Sequence, residues 1–143
     1  VLVELNCETD FVARGAEFSE VARGVAMHVA AMNPVYLSET DIPTAIIEKE
    51  KEIARATMTD KQREMEDKIM PGKLAKFYED NCLLNQSYIK DDSKTVGQII
   101  NELGIKCGEK VSLRRFQRFE VGEGIEKRVE NLAEVVSQTI AGN

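Results

Sequence analysis

VLVELNCETDFVARGAEFSEVARGVAMHVAAMNP, residues 1–34, changes its hydrophobic period once. At the start, Val1, Val3, Leu5 and Cys7 fall on one side of an extended chain and Glu4 and Asn6 on the other. A period of two predicts a half-buried strand. From Phe18 the spacing becomes that of one helix face, carried by Phe18, Val21, Ala22, Val25, Val29 and Met32. Thr9 or Asp10 supplies a side-chain oxygen to cap a helix start between the two. Asn33-Pro34 ends the long helix, because the residue before a proline avoids the helical region.

Downstream, Val35 to Leu37 is a short extended piece, and Thr40-Asp41-Ile42-Pro43 opens a helix with proline in its first turn. Ala45 to Met58, rich in Glu, Lys, Ala and Ile, is predicted helical. Asp60 can cap a further helix bearing Met65, Ile69, Leu74, Phe77 and Tyr78. Pro71-Gly72 interrupts it, and a kink or break is expected near Met70, since an interior proline loses a hydrogen bond and costs ~3 kcal/mol or more. Leu83 to Asp92 reads as loop with a short strand at Ser87–Ile89.

Val96, Ile99, Ile100 and Leu103 define an amphipathic helix closed by Gly104. Lys110 to Val121 is the second clear strand, with Val111, Leu113, Phe119 and Val121 on one face. Arg115 and Gln117 break the alternation, which calls for a bulge or an edge position. Val129, Leu132, Val136 and Ile140 predict a final helix. Few strands without regular βαβ alternation give an α+β fold, a small antiparallel sheet of about three strands packed against several helices. Residues 1–143 read as a single domain, with the helix at roughly 129–143 as an appendage.

A net charge of −6 argues against a nucleic-acid binder, whose affinity comes from neutralising phosphates. No apolar run approaches the roughly 20 residues of a membrane helix. Cys7, Cys82 and Cys107 are far apart and His28 is the single histidine, so no metal site of four N/S ligands is readily assembled. Three reduced, buried or half-buried thiols are expected. The chain opens on Val1 inside an apolar run, which reads as a cloned piece or a processed product, so the lack of a targeting segment does not assign a compartment.

No catalytic constellation emerges, and no cofactor or catalytic residue is expected. His28 lies at the edge of the Phe18–Met32 stripe, as a boundary residue touching the core or as a contact. Gly122-Glu123-Gly124 lacks the third glycine and the lysine of a phosphate loop and reads as a turn. Glu48 to Glu52 reads as a solvated helix face. Arg114, Arg115, Arg118, Lys127 and Arg128 form a basic cluster whose default is surface salt bridging.

Six blocks carry a family resemblance: ELNCETDFVAR (Glu4–Arg14), AMHVAAMNP (Ala26–Pro34), EKEK (Glu48–Lys51), GKLAKFY (Gly72–Tyr78), KTVGQ (Lys94–Gln98) and RFEVGEGIEK (Arg118–Lys127). In residues, order and rough spacing the chain resembles translation elongation factor Ts. The family's N-terminal helical module and the second core subdomain of its long form are not in this sequence. It is similar to the short, single-core form, which in some members makes homodimers. Pro71 stands where the family would have a polar helix former.

The resemblance implies a non-enzymatic guanine-nucleotide exchange factor that makes elongation factor Tu release GDP, in the bacterial cytoplasm or the interior of a plastid or mitochondrion. It implies that the turn Thr9, Asp10, Phe11 and Val12 meets the G domain. Phe11 would insert its ring between helices near the magnesium and phosphate site, and Asp10 would hold adjacent groups. His28 is carried over as a contact to another domain of the same partner. Two other readings remain compatible: a docking scaffold that binds elongation factor Tu or itself without speeding exchange, and a ribosome-associated or polyprotein fragment using the basic cluster.

Overall fold

The computed structural model describes residues 1–126. Strand β1 (Leu2–Asn6) leads through a single helical turn, α1 (Asp10–Ala13), into the long helix α2 (Ala16–Met32). Asn33 then takes the left-handed conformation, φ 48° and ψ 55°, and Pro34 follows, so α2 stops where the sequence says. Tyr36 bridges Cys82 in parallel, which ties the extended piece to the end of a later helix. A 3₁₀ turn at Glu39–Asp41, boxed by Ser38 and Asp41, precedes α3 (Thr44–Ala56).

Helices α4 (Asp60–Arg63) and α5 (Glu66–Asn81) follow. The cap of α4 is Thr59, reciprocated by Gln62, rather than Asp60. The expected break near Met70 is not there: α5 runs continuously through Pro71, and the interruption falls earlier, at Glu64–Met65. Pro71 lies in the second turn, where the one acceptor it fails to reach is the carbonyl of Asp67. Asp67 is exposed, a surface position at which solvent can take the place of the missing donor.

The hairpin β2 (Ser87–Tyr88) and β3 (Asp91–Thr95) leads into α6 (Val96–Cys107), boxed by Thr95 and Gln98. Helix α6 passes through Gly104, where the sequence pattern closed it, and ends instead at Gly108, φ 69°. Strand β4 (Ser112–Gln117) returns antiparallel to β1. The class is α+β, and the four strands among the described residues form two antiparallel pairs.

The irregularity expected in the last strand is a bulge at Arg114. Glu4 faces Arg115 while Leu5 faces Leu113, so Arg114 is the extra residue. Both arginines then reach Glu4, at 3.0 Å from Arg114 and 2.5 Å from Arg115. With Asn6, they hold the Glu4 carboxyl down to about 2. The bulge also resets the phase, turning Leu113 and Phe116 toward the core. Phe119 and Val121, expected in the strand on one face with Val111 and Leu113, lie beyond its end and are exposed.

Val25 and Val29 of α2, Val96 and Ile100 of α6, Leu83, Tyr88 and Leu113 form the main core, with Val3 and Leu5 packed on it. Each such side chain contributes about 1.5–3 kcal/mol on burial. Ala54, Met58 and Met70 form a second, smaller cluster between α3 and α5. Gly122 and Gly124, both with positive φ, turn the chain after β4. The final helix expected from Val129 lies outside the described residues.

Candidate functional site

The turn after β1 is built from short-range hydrogen bonds and one long-range clamp. Thr9 caps α1, its Oγ1 accepting the N–H of Val12 at 3.4 Å. Ala13 N–H returns to the Thr9 carbonyl at 3.2 Å and Arg14 N–H to that of Asp10 at 3.0 Å. Gly15 closes the turn on the Val12 carbonyl at 2.9 Å, and a Cβ on Gly15 would stand 3.0 Å from that oxygen.

The clamp is Glu109, which follows α6. Its Oε2 accepts the N–H groups of Glu8 and Thr9, each at 3.0 Å, and its Oε1 accepts the Thr9 hydroxyl at 2.5 Å. Hydrogen bonding from the Thr9 side chain, aided by the Thr9 and Glu8 backbone, holds the Glu109 carboxyl below its ordinary value. Glu109 is itself fixed by the end of α6. Its N–H bonds to the Gly104 carbonyl at 3.2 Å and the N–H of Gly108 to that of Ile105 at 3.3 Å, the two bonds of a Schellman motif. A Cβ on Gly104 would stand 3.0 Å from the Glu109 carbonyl, so a glycine there allows the close return.

At the tip of this turn Phe11 is 86% exposed. Asp10 is exposed and pairs with Arg14 at 3.2 Å, a solvated ion pair worth little and readily exchanged for another partner. Val12 is half-buried. Thr9, Asp10, Phe11 and Val12 are thus brought together on one small projection.

His28 is elsewhere. Its ring is 0% exposed and lies in the core of α2 against the β2–β3 hairpin. Nε2 stands 2.9 Å from Oε1 of Gln86, Nδ1 accepts the N–H of Ile89 at 3.2 Å, and the ring stacks on Tyr88 at 6.1 Å. Both nitrogens are used internally, and the side chain as placed has no surface for the partner contact that the resemblance implied.

Arg114 and Arg115 bind Glu4, and Arg118 pairs with Glu120 at 2.8 Å. The basic cluster is therefore spent on intramolecular pairs as far as it is described; Lys127 and Arg128 lie outside the described residues. Cys82 is buried, its thiol pushed up to about 11 by burial, while Cys7 and Cys107 are half-buried. No described helix is long and apolar enough to cross a membrane.

A family model described as elongation factor TS matches residues 19–123. The chain belongs to the elongation factor Ts family. Among its relatives, elongation factor Ts of Myxococcus xanthus (strain DK1622) is 48% identical over 142 residues, covering 98% of this chain and 65% of the relative. That of Thermotoga sp. (strain RQ2) is 54% identical over 126 residues, covering 88% of this chain and 63% of the relative. That of Alkaliphilus oremlandii (strain OhILAs) is 47% identical over 145 residues, covering 100% of this chain and 67% of the relative. The chain thus spans about two thirds of the length of these elongation factor Ts proteins.

Of the residues that shape the turn, Glu109 was not legible in the sequence. Glu8 and Thr9 lie a hundred residues away, and no local pattern connects them. The one signal is indirect: a glycine, Gly108, ends α6 and an acid immediately follows.

Proposed function

We propose that this chain binds elongation factor Tu and promotes release of GDP, without bond chemistry of its own, through the turn Thr9–Val12. The observation that carries the reading is the exposed Phe11 ring at the tip of a turn fixed by Glu109. An aromatic held out in water contributes nothing to its own core, but once desolvated in a partner's pocket it can supply ~2 kcal/mol or more of binding. The turn's short reach and single anchor suit insertion between two packed helices, where a small displacement reaches the magnesium and phosphate site. Asp10, freed from Arg14, would fix the adjacent partner groups. His28 enters only as a core residue that supports α2.

Exchange of this kind is a coupling free energy between two ligands of one partner, and it is reciprocal. If the chain weakens GDP binding by some factor, GDP weakens binding of the chain by the same factor. A ligand with equal affinity for two states shifts neither. The test is the affinity of the chain for elongation factor Tu in its nucleotide-free and GDP-bound forms. Tighter binding to the nucleotide-free form is expected. Equal, measurable affinity for both would leave a docking scaffold, and no binding to either would refute the partner.

A further inference from the structure

We infer that Glu109 is the positioning residue that holds the Thr9–Val12 turn in the shape in which Phe11 is presented, an inference that rests on reading this turn as the partner contact. Helix α1 has four residues, none of them buried. A single turn fixes several dihedrals for one hydrogen bond, so an isolated turn does not hold itself. With Val12 only half-buried and no fully buried residue of its own, the projection needs a further tie, and Glu109 provides one.

One carboxylate takes three donors there, from Glu8 N–H, Thr9 N–H and the Thr9 hydroxyl. Hydrogen bonds to an ionised acceptor are roughly twice as strong as neutral ones. The hydroxyl bond also has a geometric consequence. With its proton committed to Glu109, Thr9 Oγ1 turns its lone pairs toward the Val12 N–H, which it caps. Glu109 thereby fixes the Thr9 rotamer, the rotamer fixes the start of α1, and Phe11 is the second residue of α1. The tie is anchored in turn on α6 through the Schellman bonds of Gly108 and Glu109, and α6 is a core helix through Val96, Ile100 and Leu103. A rigid element thus sets the angle of an otherwise unsupported side chain.

The experiment compares the parent chain, Glu109→Ala, Glu109→Gln, Phe11→Ala and the Glu109→Ala/Phe11→Ala double variant. Two readouts are taken: stimulated release of a fluorescent GDP analogue from elongation factor Tu, and hydrogen exchange at the Glu8 and Thr9 amides of the unbound chain. Glu109→Ala is expected to speed exchange at both amides. It should slow stimulated release about tenfold, the result of lowering the competent turn population to about one tenth. Glu109→Gln, which keeps one acceptor oxygen, should fall between Glu109→Ala and the parent even where Glu109→Ala lowers overall stability. The double variant should match Phe11→Ala alone, whereas a general structural defect would add to it. Phe11→Ala impaired with Glu109→Ala and Glu109→Gln at parent rates, or additive losses in the double variant, would overturn the positioning role and leave the turn's reading intact. Phe11→Ala at the parent rate would overturn the reading of the turn and the positioning role with it.

Discussion

Gln86 fixes the proton of His28. Its Oε1 stands 2.9 Å from Nε2 of the ring, and its amide nitrogen donates to the Asp80 carbonyl at 3.0 Å, so the carbonyl end faces the histidine. The N–H of Ile89 points at Nδ1 from 3.2 Å. Nδ1 therefore carries no proton, and the neutral ring protonated at Nε2 satisfies every group around it.

Protonation would set a second N–H against that of Ile89. Burial pushes the His28 pKa below 6.5, the opposing pull of Gln86 being weaker. The folded chain then binds fewer protons than the unfolded one. The contribution of His28 is complete above about 6.5 and is lost as pH falls from there through the folded value. His28 is the single histidine, so its ring resonances report on one group. A midpoint below 6.5 is expected, with the Ile89 amide shifting in step; a midpoint at or above 6.5 would contradict the buried neutral ring.

Gly24 faces the same tyrosine that stacks on His28. A Cβ there would lie 1.9 Å from the Tyr88 hydroxyl and 3.1 Å from its Cζ. Replacing an interior helical glycine by alanine ordinarily gains up to about 1 kcal/mol, while overpacking a core costs about 1–3 kcal/mol. Gly24→Ala is expected to lower the urea midpoint, and adding Tyr88→Phe, which deletes the clashing oxygen, to restore part of it. A stabilised Gly24→Ala would mean that Tyr88 moves aside at little cost.

Pro71→Ala should stabilise α5. Alanine is about 3 kcal/mol more favourable than proline in a helix interior, against about 0.4–1 kcal/mol from the freer unfolded chain. Because Pro71 sits near the N-terminal end and faces water, a net gain of ~1–2 kcal/mol is expected from these opposing effects. Thermal unfolding followed by helical circular dichroism reads it. A lower melting temperature would show that the proline ring makes a contact the helix needs.

Much of the chain was legible because its signals are local. The period-two run at Val1–Cys7, the stripe from Phe18 to Met32 and the Asn33-Pro34 stop became β1, α2 and the left-handed cap. Strand β3 was missed because Asp91 to Thr95 contains no apolar residue; its structure comes from pairing with Ser87 and Tyr88. Phe119 and Val121 were put on one face with Val111 and Leu113 because alternation was continued past Gln117, where β4 ends; within the strand the bulge at Arg114 shifts the alternation by one residue. Gly104 was taken for a helix end because glycine commonly ends helices, yet here it admits the Glu109 backbone. At the site, the exposed Phe11 turn was legible through the Glu4–Arg14 block. The depth of His28 was not, since a helical stripe gives the angle of a residue but not what packs over it.

The exchange reading stands or falls on release of a fluorescent GDP analogue from elongation factor Tu, measured with no addition, with the chain and with its Phe11→Ala variant. Because Phe11 is 86% exposed, the variant should keep the parent's stability to within about 0.5 kcal/mol, so a lost effect would belong to the contact. Release accelerated by the parent and not by Phe11→Ala is the expected result. Acceleration that survives Phe11→Ala, or binding by the parent with no acceleration, would contradict it.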